Sequence, residues 1–266
     1  MVSTLLANQL QYYQWLNVIT YSKFTDATFS GRELPMIPSP TSLLSYVQLL
    51  DSAIPIGGFS HSFGLETFVQ RHHVTTLQQL EQYIAGQIHS SIVPMDAITI
   101  SCIYKALHEY DDKQIAQLDS IFHTQRSPRE TRDGMYKMGR RLIKLGKSLY
   151  PEAKLDELEQ LLTLHGGYGT FPVVFTWITW HLDIDVDTAV HGYLYTSIQT
   201  MVNSGIRLMS MGQTDGQLLI RRMQQYATEE WSELCKHSIS KPFSFSAVHD
   251  ILAMEHETLY SRLFMS

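Results

Sequence analysis

Cysteine is almost missing from this chain: Cys102 and Cys235 are the only two in 266 residues, far apart and without CxxC spacing. That excludes a disulfide-stapled scaffold and reads as two ordinary thiols in a reducing compartment. Lysine and arginine are absent from the first 22 residues, so the basic start of a secretory leader is missing. Long apolar runs are absent too. The longest, residues 171–182, falls short of the roughly 20 residues that span a bilayer and reads as a buried helix. The expected location is the cytoplasm, with no membrane attachment. Charge of either sign is sparse at 17%, and the net charge of −6 favours neither nucleic acid nor an anionic surface. With 44% apolar residues the chain can bury a sizeable core, which excludes intrinsic disorder.

Catalytic templates are equally scarce. The phosphate loop GxxxxGK[ST] does not occur. Gly58-Phe59-Ser60-His61-Ser62 approaches a nucleophile elbow but lacks its closing glycine. His165-Gly166-Gly167 follows a helical pattern and reads as a helix stop. HExxH is absent; His249 and His256 are seven apart with Asp250, Glu255 and Glu257 nearby, which suits weak or intersubunit metal binding better than a closed site. No tightly bound cofactor is expected.

What is present is helical periodicity, with hardly any strand alternation from Thr41 onward. The pattern predicts an all-α protein, a single bundle of about nine or ten helices. Residues 1–40 stand apart as an N-terminal extension, a short helix or a flexible segment, bounded by Pro35, Pro38 and Pro40. Leu43, Leu44, Val47 and Leu50 share the apolar face of a first helix, and a second is expected from about Phe59 to Arg71. Thr76 is a predicted cap, and Pro94 suits the first turn of a new helix. Ser127-Pro128-Arg129-Glu130 reads as a capping box. Thr170 and Asp185 are expected to cap later helices, the second of them stopping near Gly212, with Thr214 opening the next.

Three segments look like surfaces for partners. Residues 126–147 hold eight basic and two acidic side chains. On a helix Lys137, Arg140, Arg141, Lys144 and Lys147 fall within about 120° of arc, opposite Met135, Met138, Leu142, Leu145 and Leu149. This is a solvated face or a docking stripe for an acidic partner. The glycine-rich corner DSAIPIGGFSHSFGLE (51–66) brings Gly57, Gly58, Ser60, His61 and Glu66 together, as a local hydrogen-bond network or as a partner face. The amphipathic terminus 243–266 ends with Leu259, Tyr260, Arg262, Leu263 and Phe264, folding onto the body or anchoring another protein.

The stretches LLSYVQLLDSAIPIGGFSHSFGLE (43–66), MYKMGRRL (135–142), GIRLMSMGQTDGQLLI (205–220) and HETLYSRLFMS (256–266), in this order and spacing, resemble the UreF family of urease accessory proteins. The resemblance covers about residues 41–266. It implies a homodimeric, non-catalytic, all-helical maturation factor that binds UreD (also called UreH) and recruits the GTPase UreG. The assembly meets apo-urease and delivers nickel, with modulation of the GTPase as a further role. Carried over by position, it nominates Leu259, Tyr260, Arg262, Leu263 and Phe264 as the UreD-binding tail. Arg207, Gly212, Gln213, Asp215 and Gln217 match a second motif, partner-facing or structural. Two other readings compete: an all-α enzyme using a buried His61 and Glu66, and a helical module that binds acidic partners or nucleic acid through residues 126–147.

Overall fold

The computed structural model describes residues 38–237 and 241–266; the expected N-terminal extension lies outside them as far as residue 37. Among the described residues every regular element is helical. The α-helices are α1 (Pro40–Leu49), α2 (Leu65–Gln70), α3 (Leu77–Gln87), α4 (Ile98–His108), α5 (Asp112–Gln125), α6 (Arg129–Leu149), α7 (Leu155–His165), α8 (Phe171–His181), α9 (Val186–Leu208), α10 (Gln213–Cys235) and α11 (Ala247–Glu255). A π-helical stretch, Ile88–Ala97, joins α3 to α4 without a break, so the described residues form ten helical bodies.

The apolar run sits where its composition sends it. Val173, Val174 and Ile178 of α8 are fully buried, and α8 packs along α6, as α9 does along α10 and α4 along α5. The α6–α8 approach depends on Gly139, where a Cβ would overlap the carbonyl of Gly169. Met138 and Leu142 of α6 face this core while its basic row faces out, as the helical period predicts.

Caps are where sequence and structure part most often. Thr76 and Gln79 do form a reciprocal capping box, and the Asp185 side chain accepts the Thr188 amide. Thr170 does not cap with its own hydroxyl. The fully buried carboxylate of Asp119 receives that hydroxyl at 2.6 Å and the amides of Tyr168, Gly169 and Thr170 at 2.6–3.1 Å. A distant carboxylate, with two oxygens to accept on, outcompetes a local hydroxyl as acceptor for a helix start. Pro94 opens no new helix but lies inside the π-helical stretch, where wider i→i+5 spacing accommodates its missing N–H. The helix expected after Ser127 starts at Arg129, so Pro128, which has no side-chain acceptor, takes the N-cap position in place of Ser127, and Glu130 pairs with Arg262. Helix α9 ends at Leu208, short of Gly212, and α10 opens at Gln213 rather than Thr214.

Helix α1 is rotated from its expected orientation. Tyr46 and Leu49 are buried while Leu43, Leu44 and Val47 stand in solvent. The phenol of Tyr46 decides this: it donates to the Thr188 carbonyl at 2.7 Å and fills the space beside Gly192 that a Cβ would occupy.

Candidate partner-docking site

The expected helix from Phe59 to Arg71 is instead one 3₁₀ turn, Gly58–Ser60, an extended pair at His61 and Ser62, and then α2. Gly57 and Gly64 have φ of +92° and +94°, left-handed values that an L side chain rarely adopts, and they make the two bends. The corner thus presents a strand-like edge rather than a helical one, and the C-terminal tail pairs with it. Met265 donates its amide to Ser60 O at 2.8 Å, while Ser62 and Phe63 donate theirs to Ser266 O at 2.6 and 3.1 Å. The Ser62 hydroxyl adds a third donor to the same oxygen. His61 Nδ1 lies 2.7 Å from the Ser266 hydroxyl. The terminus, amphipathic in sequence, is helical over α11; after the turn His256–Thr258 it continues through bends without regular structure.

Glu66 is the hinge of this clasp. It is buried, yet Oε1 accepts the Leu263 amide at 2.7 Å and the Gln70 side chain at 3.3 Å. Oε2 accepts the Phe264 amide at 3.0 Å and faces His256 Nε2 at 3.1 Å. Burial alone would raise its pKa, but the Leu263 amide, His256 and the Phe264 amide together hold it below the ordinary carboxylate value. Its acceptor sites are therefore spent on the tail. The His61 ring packs nearly parallel to Phe63, with centroids 5.5 Å apart. Burial, then the nearby cations Lys137, Arg141 and His256, lower its pKa to about 4. A neutral imidazole capped by a serine and a carboxylate saturated with donors describe a structural joint.

The last four residues of the tail alternate between exposed and buried. Phe264 is 4% exposed and buried under Arg207, which donates to the Phe59 carbonyl at 2.7 Å and stacks on the Phe264 ring. Tyr260, Leu263 and Met265 face solvent, and Arg262 reaches Glu130 at 2.8 Å. Helix α11 continues this outward apolar surface with Val248, Ile251 and Met254. So the corner residues, Arg207 and the tail, far apart in sequence, form one structure. Gly212, Gln213, Asp215 and Gln217 do not join it; they are exposed at the α9–α10 junction. Gly216 there is buried against Val202 and Ile206.

The basic stripe divides in two. Arg140 pairs with Glu159, and Lys147 with Asp156 and Glu159, so these cations tie α6 to α7. Arg141 folds over Gly57 toward the Ile56 carbonyl. Lys137 and Lys144 are exposed. Two site residues escaped the sequence reading in their true roles. His256 figured there as half of a metal pair with His249, but His249 packs against Phe68 and Tyr83 with centroids 5.2 Å away, and His256 lies between two glutamates. Glu130 figured as a cap, and its only advance signal was a carboxylate three residues after a serine. Among the described residues no group of three or more His, Cys, Asp or Glu side chains is placed to hold a metal ion, and no helix is long and apolar enough to cross a membrane.

Comparison with known proteins agrees with the pattern of motifs. The UreF family model matches residues 74–224. A urease accessory protein UreF of Bacillus sp. strain TB-90 is 34% identical over 227 residues, covering 84% of this chain and 99% of the relative. Those of Lachnoclostridium phytofermentans and Actinobacillus pleuropneumoniae serotype 5b are 33% and 30% identical over 84% and 83% of this chain, and 98% and 97% of their own lengths. By these matches the chain belongs to the UreF family of urease accessory proteins.

Proposed function

We propose that this chain is a non-catalytic scaffold for urease maturation, in which the tail 259–264 and the outer face of α11 dock UreD. The resulting complex recruits the GTPase UreG, modulates its GTP hydrolysis and meets apo-urease. Nickel is cargo passing through that assembly, and the chain holds no tight cofactor of its own. It works in the cytoplasm as a homodimer; the outward Leu43, Leu44 and Val47 of α1 support a self-association surface. Residues 1–40 form an extension to the 41–266 domain, and neither nucleic acid nor membrane is a partner.

The observation that carries this reading is the division of labour within the tail. Phe264 is sunk into the body while Tyr260 and Leu263 are fully and half exposed, an aromatic and an aliphatic side chain presented on a backbone that is itself hydrogen-bonded. Preorganised apolar groups of this kind lower the ordering cost of association. The enzyme alternative is disfavoured because the carboxylate oxygens of Glu66 are occupied by the Leu263 and Phe264 amides, His256 and the Gln70 side chain.

The test follows from the same division. Deleting residues 259–266 would also remove buried Phe264, so the cleaner variant is Tyr260→Ala/Leu263→Ala, which leaves the clasp's backbone contacts in place. Co-purification with UreD is expected to fall at least about tenfold, the loss of one modest hot spot, with unchanged thermal unfolding. Full-strength capture by this variant would refute the docking role of the tail.

A further inference from the structure

A cavity of about 180 Å³ lies beneath the glycine-rich corner, lined from the end of α1, from α6, α8 and α9, and from the π-helical stretch. Its rim includes the exposed Asp51, Ser52, Phe59 and Arg207. Leu49, Ile54, Ile56, Met135, Met138 and Phe171 supply apolar lining. Thr196, Ser197 and Thr200 of α9 add hydroxyls, each donating to a carbonyl of its own helix at 2.8–2.9 Å. The inner end is a buried ion pair. Asp96, from the π-helical stretch, accepts from Arg126 Nη2 and takes the Tyr193 hydroxyl at 2.8 Å. Arg126 Nη1 donates to the Ser91 hydroxyl at 2.9 Å, and the guanidinium carbon lies 4.9 Å from the centroid of the Phe122 ring. Its Nε is buried as well, yet among the described residues no acceptor meets it. A buried donor left without an acceptor is costly, and on a cavity wall it marks a place for an acceptor brought from outside. π-helical turns are themselves frequent at functional sites.

We propose that this cavity binds a small uncharged organic molecule with an apolar body and one acceptor oxygen, the oxygen taking the Arg126 Nε–H and the body lying against Met135 and Met138. Charge balance selects the class. Asp96 and Arg126 already neutralise each other, so an ionised ligand would bring an unpaired charge to a buried place. The lining contains neither histidine nor cysteine, and it carries guanidiniums at its buried end and at its rim, which disfavours a transition-metal cation. Volume sets the size: an apolar cavity of about 150 Å³ holds benzene, so a ligand of about six to nine non-hydrogen atoms fits here. The site stands independently of the tail's docking role and gives the scaffold a small-molecule ligand of its own.

Acetophenone is the probe, with toluene as its counterpart lacking the oxygen and benzoate as its charged counterpart. Each is titrated into the full chain labelled at the methionine methyls. The resonances of Met135 and Met138 report the cavity, and that of Met223, buried on α10 outside it, reports general effects. Acetophenone should shift both cavity methyls, with half-saturation at about 1 mM or below. It should bind about fivefold more tightly than toluene, as expected for one net hydrogen bond, and benzoate should bind weakest. Ser197→Leu fills the cavity at a side chain whose hydrogen bond stays within its own helix, and it should abolish the shifts; Thr200→Leu takes its place if that variant does not fold. Arg126→Lys keeps a cation beside Asp96 but removes the Nε–H, and it should bring acetophenone down to the level of toluene. Cavity methyls that no probe moves, or shifts that persist in the filled variants, overturn the site. Equal binding of toluene and acetophenone by wild type overturns the role of Arg126, and tightest binding of benzoate overturns the uncharged class.

Discussion

The guanidinium of Arg207 lies over the ring of Phe264, its carbon 4.3 Å from the centroid, while its Nη1 donates to the Phe59 carbonyl at 2.7 Å. One side chain from the last turns of α9 therefore holds both halves of the clasp. If the cation–ring contact matters beyond apolar burial, Arg207 and Phe264 must be energetically coupled. A double-mutant cycle with Arg207→Ala and Phe264→Ala should return a coupling of about 0.5–2 kcal/mol. Phe264→Ala alone should release the tail amides and lower UreD capture. Strict additivity in denaturant unfolding would show that the two groups are merely neighbours.

Acid should weaken this corner before it weakens the rest. His61 has a folded pKa near 4, below its ordinary 6.5. Between those values the unfolded chain binds a proton there that the folded chain refuses, so stability is full above about 6.5 and declines as pH falls toward 4. The slope attributable to one such group is at most about 1.4 kcal/mol per pH unit. Glu66, whose pKa is also lowered, adds loss in the same direction only below the ordinary carboxylate range. Urea unfolding of His61→Asn should show a flatter pH dependence between these limits than wild type. An identical slope would mean that another group carries it.

Gly139→Ala places a methyl group against the Gly169 carbonyl and the start of α8. Neither backbone can yield without disturbing the Asp119 cap. The expected cost is about 1–3 kcal/mol or more, as for overpacking in a tight interior, read as a lowered denaturation midpoint. Gly166→Ala is a poor control because its φ of +76° is itself unfavourable for alanine; the exposed Ser148→Ala serves better.

Lys137 and Lys144 are exposed members of the basic row whose reversal leaves the α6–α7 ion pairs and the Arg141 contact intact. If this face docks an acidic partner, Lys137→Glu/Lys144→Glu should reduce capture of UreG together with UreD, and wild-type capture should weaken as salt rises. Circular dichroism and thermal unfolding should match wild type. Salt-independent capture unaffected by the double reversal would assign the row to solvent alone.

The helical class was legible because amphipathic periodicity reports burial directly, and α6 shows this best: the side turned inward by Met138 and Leu142 is the one its spacing selects. The corner, Arg207 and the tail were each legible as unusual segments. Their union was not, since no local pattern reports that residue 264 sits beneath residue 207. Side chains with two plausible hydrogen-bond roles misled most. Glu130 looked like a cap and became a partner for His256 and Arg262; Thr170 looked like a cap and yielded to Asp119. In both cases a charged group brought from far along the chain outweighed the short-range option.

The order of amino acids alone determined that this protein is helical, which runs are buried, and to which family it belongs, because these depend on periodicity and on motif identity. Tertiary structure decided which way α1 faces, what caps α8, and that an irregular tail closes on a glycine-built corner around His256. Those outcomes turn on long-range pairing of buried charges and ring contacts, whose energies depend on distance in space rather than on separation along the chain.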